Sequence, residues 1–453
     1  MNAEPYVLKI PFKGTRSGAF PLTWGQHWVW ESVVARAPYH ADLSGSYCVA
    51  VPAGRGMPAV ADALAALLGR YETFRSRYTL APDGAPQQLI VANGQLPVDV
   101  RDVDAADVQQ AAAAAVSEFD ELAFTLPELS LRATVIASKG VPKFVILCTF
   151  HMAVDCYGMS PVLDDFRALL GGEPLDPVPD GTTHPADRAL EECSAQGAQR
   201  SALGIRYWKQ ELEKFPADPL AFTGRRPESP RYRTYAMHSP ALRVTVLELA
   251  KELGVGTSSV ILAAAASLLA RGSGSRTCGI ILAAKHRYDP ASLRYPGTLV
   301  QGVPAALDVS RFSLRELIPR WHRASMLAAL AGHCHPAELA ETLRESFGRE
   351  ATESRLACVV NLNIPGPPAS AEHEDARTVR AEAERILAES RYEYAGGTRM
   401  ERERFYLAAH GDATDFFITL RADTAVLGSA EIVDFLRNLE RSLLDCLPDS
   451  AMV

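Results

Sequence analysis

A histidine stands four residues ahead of an aspartate in HMAVDCYG, as His151 and Asp155. Imidazole titrates near neutrality, so a fixed histidine can take a proton from an attacking amine or hydroxyl, and a neighbouring carboxylate can orient the ring or its loop. An H-x-x-x-D spacing by itself also occurs in turns that do no chemistry. Cys156 is a candidate nucleophile, because a thiolate attacks readily when its pKa is lowered, but it adjoins the aspartate rather than the histidine. The eight cysteines are scattered, with no C-x-x-C pair and no Cys/His group at zinc-finger spacing, so neither a disulfide framework nor a structural metal is indicated.

The elements that must position this pair are legible around it. KFVILCTF, Lys143 to Phe150, is a short β-favouring apolar run of the kind buried on both faces of a sheet; Cys148 reads as core, and the run ends at His151. Ser160 then predicts an N-cap, with Pro161 at the first helical position and Val162, Leu163, Phe166, Leu169 and Leu170 on one face. The motif therefore occupies a strand-to-helix turn, where a polar group is held rigidly and can face a cleft.

Elsewhere helix and strand alternate. Asp62 to Arg70 and Ser258 to Arg271 are Ala-rich helices leading into the strand-like TFRSRYTL and TCGIILAA, which suggests two related halves. Gly171 to Asp187 is dense in Pro, Gly and Asp and marks a boundary, predicting an N-terminal lobe over 1–175 and a C-terminal lobe over 176–453. A Pro-rich acidic stretch, Ile364 to Asp375, predicts an exposed loop or crossing segment near 364–380. Ile432, Phe435, Leu436, Leu439 and Leu443 mark a final amphipathic helix.

Composition narrows the partners. With 47% hydrophobic and 22% charged residues the chain is an ordinary globular one, and its net charge of −8 lacks a basic block, so nucleic acid is not expected. The longest apolar run, Val260 to Ala270, is too short to span a bilayer, and the N-terminus lacks a signal-like pattern, so a cytoplasmic protein without a membrane partner is expected.

HMAVDCYG resembles the HHxxxDG signature of the condensation domains of nonribosomal peptide synthetases, within the chloramphenicol acetyltransferase-like superfamily. PLTWGQHWVW, Pro21 to Trp30, resembles the family's opening PLSxxQxxLW segment, YETFRSRY its H-E-x-L-R-like stretch, and PELSLRATV, Pro127 to Val135, its P-L-x-R-A strand. RYWKQELEKFP, Arg206 to Pro216, is similar to the Y-W-x-x-x-L segment. The stretch ending in KHR resembles a helix, turn and strand closing on an N-R pair, and YPGTLVQGVPAALDV resembles G-x-F-V-N-T-L-P-x-R-V. These segments follow in order across nearly the whole chain.

The resemblance implies an α/β fold of two chloramphenicol acetyltransferase-like lobes in a V, with an active-site tunnel between them. It implies a condensation-type acyltransferase, free-standing here, that joins a carrier-tethered acyl thioester to an amine or alcohol in secondary-metabolite biosynthesis. His151 would be the catalytic residue. Asp155 would fix the loop, paired with Arg132, since a buried carboxylate needs compensation. No bound cofactor or metal is implied; the donor would carry phosphopantetheine, on a carrier protein acting in trans, or coenzyme A. Tyr157, Cys156 and Asn361 are candidate tunnel residues, although Asn361 and Asn363 serve equally to satisfy strand-end backbone. Gln301 reads as structural, and Trp24, Trp28 and Trp30 as an anchor of the first lobe or an aromatic platform.

Two departures stand out. Phe150 replaces the signature's first histidine, and Cys156 replaces its glycine, where a positive φ would strain a cysteine unless Gly158 restored the freedom. These changes leave two alternatives open, a noncatalytic recruitment module and a coenzyme A-dependent acyltransferase.

Overall fold

A computed structural model of the chain describes residues 5–38, 40–175, 183–221, 225–362, 364, 376–411 and 416–448. The chain divides into two compact units, one formed by Met1–Gln199 with Lys285–Gln301, the other by Arg200–Ala284 with Gly302–Val453. The boundary thus follows Gln199 rather than 175, because the helix Pro185–Glu192 is tied into the first unit by Arg16, Glu72 and Trp24. The segment Lys285–Gln301 also joins the first unit, an exchange that chain order does not announce. Most of the predicted crossing segment, and Asn363, lie outside the described residues.

The first unit contains β1 (Tyr6–Lys13), β2 (Gly18–Pro21), α1 (Trp24–Arg36), β3 (Ser44–Ala50), α2 (Met57–Arg70), β4 (Ser76–Leu80), β5 (Pro86–Ile90), β6 (Asn93–Asp102), α3 (Val108–Asp120), β7 (Leu131–Ser138), β8 (Val141–Phe150), α4 (Cys156–Gly171) and α5 (Pro185–Glu192). Five strands form one sheet in the order β1-β6-β7-β8-β3, and β2, β5 and β4 form a small antiparallel one. In β8, Val145 and Leu147 point into a core with α2 and α4, while Ile146 packs with α3 and Cys148 and Phe150 pack with Val29 and Val33 of α1. Apolar side chains are therefore needed on both faces, which is why KFVILCTF shows no alternation.

On α2, Val60, Ala63, Leu64, Leu67 and Leu68 are buried, the i, i+3, i+4 spacing of one helical stripe. On α4, Val162, Phe166 and Leu170 are buried, with Leu163 and Leu169 beside them, as their spacing predicts. Each such Leu or Phe contributes about 1.5–3 kcal/mol by leaving water.

The second unit holds most of α6 (Ala195–Leu212), then β9 (Tyr232–His238), α7 (Pro240–Leu253), α8 (Thr257–Ser273), β10 (Thr277–Ala284), β11 (Gln301–Asp308), β12 (Cys358–Leu362), β13 (Arg391–Thr398), β14 (Phe405–Gly411) and β15 (Phe416–Asp423). Its sheet runs β11-β10-β12-β14-β15-β9-β13. The Ala-rich α8 is buried on nearly every side, as a helix apolar all round must be. The terminal helix Ser429–Leu444 buries Ile432, Phe435, Leu436, Leu439 and Leu443 on the same core. Among the described residues no single helix is long and apolar enough to cross a membrane.

Candidate active site

His151 is the first residue past β8, half-buried, in a turn that leads directly into α4. Its N–H donates to the Leu43 carbonyl at 2.9 Å, and its own carbonyl accepts from the Thr298 hydroxyl at 2.5 Å. Burial holds the imidazole below its ordinary value of 6.5, against the opposing pull of the Asp155 carboxylate and of backbone hydrogen bonding at His151 and Val154. The ring is thus neutral at neutral pH, the form a general base requires.

Asp155 is 2% exposed and accepts from four donors. Arg287 Nη2 lies 2.8 Å and the Gly158 N–H 2.7 Å from one carboxylate oxygen; the Leu299 and Val300 N–H groups lie 2.9 and 3.3 Å from the other. Arg287 is equally buried and also donates to the carbonyls of Ser292, Tyr295 and Gly297. The carboxylate therefore does two jobs, capping α4 and fastening the segment 287–300 against the turn.

Two expectations are corrected here. Arg132 does not pair with Asp155. It sits on β7 opposite Cys148, short of the strand end, and its guanidinium meets Glu128 at 2.8 Å, the carbonyls of Leu122 and Ala123, and the face of the Phe124 ring at 4.0 Å. The compensating cation is Arg287, 132 positions along the chain from Asp155. Likewise α4 starts at Cys156 and not at Pro161, because the Asp155 side chain caps it; Pro161 falls inside the helix, where it forgoes one backbone hydrogen bond.

Cys156, as the first residue of α4, is not among the described non-glycine residues with positive φ, so the strain expected at this position is absent. The residue is exposed at its surface, yet desolvation of the thiol, with the Asp155 carboxylate adding to it, pushes its pKa up to about 11. A thiol protonated at neutral pH is a poor nucleophile, so Cys156→Ser is expected to keep turnover within about threefold of wild type. A loss of two orders of magnitude in steady-state rate would restore the cysteine as a participant.

Gly158 serves close approach rather than flexibility. A Cβ there would lie 2.7 Å from the Gly297 carbonyl oxygen and 2.8 Å from Arg287 Nη2. Gly158→Ala should cost about 1–3 kcal/mol through overpacking and lower turnover in parallel. An unchanged denaturant midpoint would show that the neighbouring backbone yields.

Tyr157 is half-buried with the Lys285 ammonium over its ring at 5.2 Å, and burial raises its pKa, so its hydroxyl stays protonated. Phe150, where the signature has its first histidine, is buried in an aromatic cluster, stacked on Phe124 at 5.1 Å and edge-on to Tyr78 at 5.8 Å. Asn361 belongs to the second unit, where its amide donates to the Tyr406 hydroxyl at 3.0 Å. Trp24 is buried in α1 and its backbone N–H donates to Glu192, while Trp28 and Trp30 are half-buried. Gln301 is fully buried at the start of β11. Arg287, Thr298 and Thr73, whose hydroxyl donates to the Ala153 carbonyl at 2.6 Å, were not singled out by sequence; the only signal was that Arg287 closes the stretch resembling the N-R pair.

The condensation-domain family model matches residues 45–416. The chain belongs to the condensation domain family. Condensation domains are acyltransferases that form amide or ester bonds. Among curated proteins, this condensation domain is 23% identical over 253 residues to a plipastatin synthase of Bacillus subtilis, covering 53% of the chain and 9% of that protein. It is 26% identical over 276 residues to the probable non-canonical nonribosomal peptide synthetase CymA of Salinispora arenicola, covering 56% of the chain and 3% of that protein. The chain spans less than a tenth of the length of either relative.

Solved structures show the same fold. The condensation domain of the monacolin K polyketide synthase MokA matches with a TM-score of 0.70 at 18% identity, over 95% of this chain and 98% of that one. A condensation domain for chain release from the enacyloxin polyketide synthase matches with a TM-score of 0.74 at 17% identity, over 97% and 85%. The mixed α/β architecture is therefore the chloramphenicol acetyltransferase-like one.

Proposed function

We propose that this condensation domain joins an acyl group, held as a thioester on the phosphopantetheine arm of a carrier protein, to a small amine or alcohol, with His151 as general base. The observation that carries the reading is a neutral histidine at the end of a buried strand, in a turn clamped by the Asp155–Arg287 pair, within a chain of this family. The acceptor's nitrogen or oxygen attacks the thioester carbonyl while His151 takes its proton. The C–N or C–O bond forms, the C–S bond breaks, and the proton passes from His151 to the departing thiolate. No metal, nucleotide or redox partner enters this sequence of steps. No segment of the 453 residues resembles a carrier or adenylation domain, so the loaded carrier comes from outside this stretch of sequence.

Intact-mass measurement of acyl-loaded carrier proteins, incubated with this protein and a panel of amines and alcohols, tests the proposal. Acceptor-dependent loss of the acyl mass from the carrier supports it. Turnover of free acyl-coenzyme A without any carrier would reassign the donor. A second reading, a recruitment module without catalysis, draws on the burial of Phe150, which leaves the signature's first histidine position with no titratable group. It predicts that the carrier keeps its acyl group in every incubation.

A further inference from the structure

The peptide groups of the turn between β8 and α4 lie outside both a ladder and a helix, so each must find its partner elsewhere. Ala153 N–H finds the Phe150 carbonyl, and His151 N–H finds Leu43. The His151 carbonyl is met by Thr298 Oγ1 at 2.5 Å. We propose that Thr298 is a positioning residue for His151, its hydroxyl fixing the peptide that carries the catalytic ring. This inference rests on the reading of His151 as the base.

The hydroxyl is itself held in place. Thr298 is fully buried, and β-branching leaves its χ1 little freedom. The chain around it is fastened by Arg287 to the carbonyls of Ser292, Tyr295 and Gly297 and by the Leu299 and Val300 N–H groups to Asp155. On its other side α1 approaches so closely that a Cβ on Gly25 would lie 2.3 Å from the Thr298 carbonyl oxygen. Thr298 therefore cannot move without moving the turn whose peptide carries His151. A base must sit within about 0.5 Å of its productive position, so a loosened peptide shows in turnover before it shows in substrate affinity.

Thr298→Val keeps the shape and removes the donor, whereas Thr298→Ser keeps the donor. With a carrier-bound donor and a fixed acceptor, Thr298→Val is expected to lower kcat about 10- to 30-fold with the donor KM within about twofold, and Thr298→Ser to recover to within about threefold of wild type. Should Thr298→Val fail to fold, Thr298→Cys, which keeps the volume with a much weaker donor, must show the same loss in kcat. The proposal is overturned if folded Thr298→Val turns over within twofold of wild type while His151→Ala is inactive, or if Thr298→Ser is as slow as Thr298→Val, which would assign the effect to packing. If His151→Ala itself matches wild type, the general-base reading fails and this inference with it.

Discussion

Replacement of His151 by alanine is expected to lower kcat/KM for acyl transfer about 10²–10⁴-fold, the contribution typical of a positioned general base, while the protein stays folded. The residue is half-buried in a turn at a strand end, so far-ultraviolet circular dichroism and the unfolding midpoint should stay near wild type. The pH dependence adds an independent check. A base acts when neutral, and burial holds this imidazole below 6.5, so the acid limb of kcat/KM should have its midpoint below 6.5.

Stability follows the same sign. The folded histidine resists a proton that the unfolded chain accepts at about 6.5, so the unfolded state binds more protons below that pH. The contribution of His151 to stability is intact above 6.5 and declines as pH falls from there towards the folded value. His151→Ala should therefore lose less stability than wild type over that interval. An acid limb centred above 6.5, or an active His151→Ala, would remove the histidine from the chemistry.

The second large effect belongs to the buried pair. Asp155→Asn preserves shape but leaves the Arg287 cation uncompensated, and its amide group turns a donor towards the backbone N–H groups that the carboxylate accepted. Removing one partner of such a buried pair costs about 3–5 kcal/mol, so the variant should unfold at markedly lower denaturant and lose acyl transfer with the turn. Arg287→Met removes the cation instead. The double variant Asp155→Asn with Arg287→Met should lose less than the sum of the single losses, because the second change removes the charge that the first stranded. Strict additivity in urea titrations would mean that the two groups do not depend on each other.

Arg132→Ala is the informative comparison. It would release Glu128 and the carbonyls of Leu122 and Ala123 from β7 without touching Asp155, so its loss belongs to the 122–128 loop rather than to the turn. Sequence proximity pointed to Arg132 alone. Arg132 is close to the motif in sequence and stands in a family-like strand, whereas Arg287 reaches Asp155 only because the segment Lys285–Gln301 packs with the first unit.

What the sequence determined by itself was whatever depends on near neighbours along the chain. The two-faced apolar run of β8, the helical stripes of α2, α4 and the final helix, and the four-residue spacing of His151 and Asp155 all follow from side-chain periodicity and from residues that must turn out of a core together. The start of α4 was less legible, since Asp155 is as good an N-cap as Ser160 by residue type, and it is Asp155 that caps the helix in the structure. Only the tertiary structure decided the partner of Asp155, the hydroxyl on the His151 carbonyl, the need for glycine at 158 and the ordinary backbone at Cys156. The first three are contacts across a long stretch of chain or a matter of a few tenths of an ångström, and the last follows from where α4 begins. The energy of such contacts comes from burying a polar group with its complement in one place, which no single segment specifies until the segments that carry both have packed.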